Sequence, residues 1–178
     1  MIVVVTGTPG TGKTLVSRRL EERLGACVVN VARLALEREL VVDYDFERET
    51  STIDEPKLRI ELLREIELAK RRGCELLVID TSQPCLLRGA LVDLVLVLRA
   101  RPEVLEVRLR ERGWPRIKIE ENVEAERAGV VASEALECLG ERVVEVDSER
   151  PEALEQIVEL ISELLEEKFS YPLGGGER

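Results

Sequence analysis

Five short apolar runs punctuate the chain, at residues 2–5, 27–31, 76–79, 94–98 and 143–146. Each is apolar nearly throughout and rich in β-branched residues, which suits strands of a parallel sheet covered on both faces. Longer stretches with helical periodicity lie between them. Lys13–Leu24 sets Val16, Leu20 and Leu24 on one face and stops at Gly25. Residues 55–72 carry Leu58, Leu62, Leu63, Ile66 and Ala69 between Asp54 and Gly73, and residues 102–112 stop at Gly113. Residues 151–167 carry Leu154, Ile157, Val158, Ile161, Leu164 and Leu165 behind a proline suited to a first helical turn. Strands alternating with helices make βαβ units. The pattern predicts an α/β domain of three layers around a five-stranded parallel sheet.

One domain over residues 1–169 accounts for the pattern, without repeats or a dividing linker. Residues 170–178, with Gly174, Gly175 and Gly176, read as a mobile tail. Two stretches exceed what a sheet crossing needs, residues 32–53 and 113–122. Such inserts are expected to serve the site rather than the sheet.

The first apolar run leads directly into Gly7-Thr8-Pro9-Gly10-Thr11-Gly12-Lys13-Thr14, a complete G-x-x-x-x-G-K-[ST] motif, and an amphipathic helix leaves it. Strand, loop and helix in that order form a cradle for phosphate. Gly10 and Gly12 let backbone N–H groups close around the phosphates, and the helix N-terminus adds partial positive charge. In such a cradle Lys13 is expected on the β- and γ-phosphate oxygens of ATP, and the Thr14 hydroxyl on Mg²⁺. The third run delivers Asp80 at its C-terminal end, where α/β proteins bind ligands. Asp80 is the expected second metal-side residue, acting on Mg²⁺ through water; its other reading is an ordinary turn or capping aspartate. Arg108 and Arg112 share a helix face and could both serve a site with developing negative charge, whereas Arg110 reads as solvated. Neither asparagine begins N-K-x-D, and no D-x-x-G follows Asp80, so a guanine-reading switch protein is excluded. Histidine is absent from the chain, which removes every Ser-His and Cys-His nucleophile.

Composition narrows the partners. A net charge of −10 opposes direct nucleic-acid binding and suits a basic protein partner or simple solubility. No apolar run approaches the length of a membrane span, so a soluble, cytoplasmic protein without direct membrane binding is expected. Cys27, Cys74, Cys85 and Cys138 form no C-x-x-C pair and, without histidine, suggest no zinc site. They read as small core residues. The scarcity of Asn and Gln beside 35% charged residues is a thermophile's composition, in which an intracellular disulfide is allowed.

Several stretches together resemble the adenylate kinase isoenzyme 6 family, small adenylate-kinase-like ATPases linked to small ribosomal subunit maturation. These are TGTPGTGKT, the NV-x-x-LA that starts at Asn30, Tyr44-Asp45, Leu98-Arg99, and RL-x-x-RGW-x-x-x-K-x-x-EN from Arg108 through Asn122. The resemblance runs from about Ile2 to Leu165. It implies a nucleoside monophosphate kinase-like P-loop NTPase, with a monophosphate-binding insert at about 30–53 and a short LID at about 111–121. Nucleotide contact is implied for Gly10, Gly12, Lys13, Thr14, Leu15 and Arg112, with Lys13, Asp80 and Arg112 catalytic and ATP with Mg²⁺ as donor. The chain departs from the family on the acceptor side. Where the family has G-D-L-A-R, this sequence has Ala32-Arg33-Leu34-Ala35-Leu36, which leaves Arg33, Arg38 or Arg88 to meet an acceptor phosphate. Where the family has Asp-x-His, it has Asp80-Thr81-Ser82. The expected activity is transfer of the ATP γ-phosphoryl group to a nucleoside monophosphate, AMP foremost. The alternatives are an assembly ATPase that binds a basic small-subunit ribosomal protein, and a kinase for another small acceptor.

Overall fold

A computed structural model describes residues 1–170, with side chains as far as Lys168. The tail expected at 170–178 falls outside them but for the backbone of Ser170. Among the described residues, seven strands and seven α-helices form in the order β1 (Ile2–Thr6), α1 (Lys13–Leu24), β2 (Cys27–Asn30), α2 (Val31–Glu37), β3 (Val41–Asp45), β4 (Thr50–Ile53), α3 (Glu55–Arg71), β5 (Leu77–Asp80), β6 (Leu94–Arg99), α4 (Pro102–Glu111), α5 (Arg116–Arg127), α6 (Val130–Leu139), β7 (Val143–Asp147) and α7 (Ala153–Ser170). Five strands make one parallel sheet in the order β2-β5-β1-β6-β7, and β3 with β4 form a separate antiparallel hairpin. The five-stranded parallel α/β fold read from the sequence is the fold observed.

Alternation along the strands builds the three layers. Ile2 and Val4 of β1, with Leu77 and Ile79 of β5, pack on Leu58, Leu62 and Ile66 of α3 and on Ala132 and Ala135 of α6. The intervening Val3, Val5 and Val78 face the other way, against Val16 and Leu20 of α1 and Ile157, Val158 and Ile161 of α7. A third, small cluster joins Leu105 and Leu109 of α4 to Ile119 of α5, with Trp114 and Val123 packed against it.

The structure fills the stretches that periodicity left open. The first insert holds α2 and the hairpin, and the second holds the first turns of α5. The second strand ends at Asn30, one residue early, because the Asn30 side chain accepts the Arg33 N–H at 2.9 Å and caps α2. Helix α6 escaped the pattern because it turns small residues, Ala132, Ala135 and Cys138, to the core. The reading of four small core cysteines is corrected. Cys27 is exposed, and the cysteines form two disulfides, Cys27–Cys74 and Cys85–Cys138, with Cα separations of 6.3 and 5.2 Å. Partners 47 and 53 positions apart leave no trace in local periodicity.

Candidate active site

Strand register brings the motif residues together. Val5 of β1 lies opposite Asp80 of β5, and Asp80 opposite Asn30 of β2, so three C-terminal strand ends meet beside the phosphate loop. Among the described residues, the buried polar side chains (Thr6, Thr8, Thr11, Ser17, Asp80, Thr81 and Glu126) gather at this end. A cleft of about 410 Å³ opens here. Its lining comes from the loop and the start of α1 (Pro9, Gly10, Gly12, Lys13, Thr14 and Leu15), from Arg112 and Asp80, and from Asn30, Val31, Ala32, Ile53, Leu58, Thr81, Ser82 and Gln83.

The loop holds its shape by its own bonds. Thr11 donates both its N–H (3.2 Å) and its hydroxyl (2.9 Å) to the Thr8 carbonyl. The Lys13 ammonium folds back to the carbonyls of Gly7 (2.8 Å) and Thr8 (3.2 Å). Gly12 sits at φ +101° as it enters α1, in the left-handed region that glycine adopts without penalty. Gly10, at φ +97°, has a second reason to lack a side chain. A Cβ there would lie 2.6 Å from Leu105 Cδ1, so helix α4 packs directly beneath the loop. Arg108 of α4 donates to the Gly10 carbonyl at 3.3 Å, and Arg112 at the end of that helix lines the cleft. The shared face of Arg108 and Arg112 thus meets the loop, while Arg110 pairs with Glu106 on the exposed side.

Asp80 is 3% exposed, and its Oδ2 accepts from the Thr14 hydroxyl (2.9 Å) and the Asn30 amide (2.8 Å). Asn30 is a site residue that motif reading passed over. Its oxygen caps α2 and its nitrogen orients Asp80, and only the register between β2 and β5 reveals the second role. Thr14 and Asp80 present adjacent oxygens in the cleft lining. That donor set fits Mg²⁺, which takes one or two protein oxygens and completes its shell with phosphate and water.

Burial pushes the Lys13 ammonium from 10.5 down to about 8; Asp80 pulls it back, Arg112 lowers it further and Glu126 raises it. A lysine in that balance is poised to gain from incoming phosphate charge.

The three candidate acceptor arginines do not line the cleft. Arg33 is exposed on α2 and pairs with Glu37 at 3.3 Å. Arg38 is held by Glu61 (3.3 Å) and Glu65 (2.6 Å) of α3. Arg88 bonds Glu137 (2.9 Å) and the Cys138 sulfur (3.0 Å) on α6. The two inserts touch each other instead. Arg48 of the hairpin reaches Glu121 of α5 at 2.9 Å, and Lys118 of α5 donates to the Glu49 carbonyl at 2.8 Å while lying 4.2 Å over the Trp114 ring.

A family profile described as "AAA domain" matches residues 3–129. A Saccharolobus solfataricus protein named "putative adenylate kinase" is 43% identical over 148 residues, covering 83% of this chain and 75% of its own. Proteins of the same name from Thermococcus kodakarensis and Pyrococcus abyssi are 42% identical over 166 residues (90% and 85% covered) and 38% identical over 193 residues (99% and 100% covered). The chain belongs to this adenylate-kinase-like family of P-loop NTPases. A crystal structure of a sugar kinase from Janibacter sp. HTCC2649 matches at a TM-score of 0.65 with 21% identity, over 93% of this chain and 94% of that one, and supports the fold. Among the described residues no helix is long and apolar enough to cross a membrane.

Proposed function

We propose that this adenylate-kinase-like protein transfers the γ-phosphoryl group of ATP to a nucleoside monophosphate, AMP foremost. The observation that carries the reading is one cleft whose lining joins the phosphate loop and Arg112 to residues of α2, β4, α3 and the Thr81–Gln83 segment. In this reading donor and acceptor take adjoining places there. Archaeal relatives named putative adenylate kinases support the same choice.

In this reading Gly10, Gly12, Thr14 and Leu15 hold the ATP phosphates, and Lys13 and Arg112 neutralise the charge that spreads over the transferring group. An oxygen of the AMP phosphate forms the new bond to the γ-phosphorus as the bond to the β,γ-bridging oxygen breaks, which leaves two ADP. The acceptor's second ionisation lies near ~6, so at neutral pH it arrives deprotonated and requires no general base. Alignment and charge neutralisation suffice, consistent with a chain that lacks histidine. Thr14 and Asp80 would hold Mg²⁺, which supplies further neutralisation of the β- and γ-oxygens. Residues from about 30 to 53 serve as the acceptor insert, and the segment from about Glu111 to Glu121 as a short LID.

A second reading, transfer to another small acceptor, is favoured by one feature. Beyond the phosphate loop and Arg112, the cleft is lined by Asn30, Val31, Ala32, Ile53, Leu58, Asp80, Thr81, Ser82 and Gln83, with no cation among them. The test is purified protein with ATP and Mg²⁺, with and without AMP, followed for ADP and free phosphate. Two ADP formed per AMP consumed is the expected result. Phosphate release at one rate with or without AMP would sink the kinase and leave an ATPase.

A further inference from the structure

Glu126 is a carboxylate 3% exposed on the last turn of α5, far in sequence from the phosphate motif. Its Oε2 accepts the Thr8 hydroxyl at 2.5 Å. Its Oε1 accepts from Arg99 Nε at 2.8 Å and from the Ala100 N–H at 3.1 Å, while its backbone carbonyl accepts Arg99 Nη2 at 2.9 Å. A buried carboxylate held by three donors on its side chain is costly to disturb, because any donor removed leaves charge uncompensated. What it holds is the centre of the loop. The Thr8 carbonyl is the acceptor for Thr11 N–H, Thr11 hydroxyl and Lys13 ammonium, so the orientation of that one peptide decides the shape of the cradle. The other end of the same helix carries Lys118 and Glu121, which engage the hairpin.

We propose that Glu126 is a positioning residue for phosphate binding, which ties helix α5 to the P-loop through the Thr8 hydroxyl. Helix α5 thereby connects the hairpin to the donor phosphates by a rigid element anchored at both ends. Glu126 is not among the residues that line the cleft, and its hydrogen bond to the phosphate loop runs through Thr8. The inference rests on the cleft being an ATP site and not on the identity of the acceptor.

The experiment is a double-mutant cycle read by calorimetric titration with ATP and Mg²⁺ at 25 °C, alongside kcat, KM and thermal unfolding. Glu126→Gln and Thr8→Val should each weaken ATP binding about tenfold, the size expected for a buried hydrogen bond to a charged group. The double variant should lose about the same tenfold, not the hundredfold of independent effects. Thr8→Ser, which restores the donor, should recover most of the loss seen in Thr8→Val. Affinity within twofold of wild type beside a lowered unfolding temperature would make Glu126 purely structural, and losses that multiply would break the link to Thr8. Should Glu126→Gln not fold, the contrast between Thr8→Val and Thr8→Ser decides alone. Because the readout is ATP binding, a wild type that binds ATP but ignores AMP overturns the acceptor reading and leaves this test intact.

Discussion

The two walls of the cleft are built in different ways. On the side of the phosphate loop the polar groups are fixed twice over: Thr11 and Lys13 bond the Thr8 carbonyl within the loop, and distant carboxylates hold the Thr8 and Thr14 hydroxyls. On the side we propose for the acceptor no cation lines the cleft, and Arg33, Arg38 and Arg88 are committed to carboxylates of α2, α3 and α6. A preorganised donor wall should respond sharply to single substitutions, since no neighbour can replace a fixed group. A wall whose cations sit in exposed ion pairs should respond weakly and with redundancy, because such pairs are worth little and rearrange.

The largest effects therefore belong to the donor wall. Lys13→Ala should lower kcat on the order of 10²–10³-fold, the usual loss for a removed charge-stabilising donor, with the fold intact by circular dichroism. Asp80→Asn should impair Mg²⁺-dependent turnover much more than binding of metal-free ATP. Equal losses in both would make Asp80 a scaffold for Asn30 and Thr14 alone.

The depressed ammonium of Lys13 gives a second way to probe that wall. Free protein loses the Lys13 proton near pH 8, whereas the unfolded chain keeps it to 10.5. Between these values the unfolded state holds more protons, so this residue's contribution to apo stability rises with pH across that window. Its cost is fully present below about 8. ATP binding has the opposite sign. Phosphate favours the charged amine, so affinity should be flat below pH 8 and fall by up to about tenfold per unit above it. Titration of metal-free ATP from pH 7 to 9.5 measures this, and Lys13→Arg should abolish the slope. A slope that persists in Lys13→Arg would assign it to another group.

These contrasts also explain what could be read from the sequence. The sheet was legible because its strands are apolar on both faces, and the phosphate cradle because all its parts lie within Gly7–Thr14. Asp80 followed from its place at a strand end. Asn30 and Glu126 were not legible, because each acts through residues 50 and 118 positions away, brought near by strand register and by helix α5. Arg112 was legible as a cation at the insert's edge, but its neighbour Arg108 turned out to support the Gly10 carbonyl. The hairpin was hidden by its exposed β3 strand, Val41–Asp45, which buries no face for a pattern to reveal.

None of the three candidate arginines lines the cleft, and of these Arg33 is the one most easily released toward the acceptor site we propose. It rides on α2, whose Val31 and Ala32 line the cleft, and its single pair with Glu37 is exposed and long at 3.3 Å. Release from such a pair costs at most about 1 kcal/mol. Arg38 and Arg88 each hold two partners. Arg33→Ala should thus raise KM for AMP about tenfold while sparing ATP affinity, as expected for a lost charge-assisted contact. Arg38→Ala and Arg88→Ala should do less. Wild-type KM in all three would place the acceptor phosphate on Arg112 and Lys13 alone, or remove it from the site.

The smallest effect should come from the bridge between the two inserts. Arg48 bonds Asp45 within the hairpin and Glu121 across to α5, and both carboxylates hold its guanidinium firmly protonated. All three side chains are exposed enough that solvent screens them, so the inter-insert pair contributes little. Arg48→Ala should then change KM for either nucleotide by less than about fivefold. Raising salt should move wild type towards the variant, because the Debye length shrinks from ~10 Å at 0.1 M to ~3 Å at 1 M. The Lys118 bond to the Glu49 carbonyl and its contact with Trp114 would keep hairpin and α5 in register meanwhile. A loss in Arg48→Ala as large as in Lys13→Ala would reverse the ranking of the two walls, and would make contact between the inserts the organising feature of the cleft.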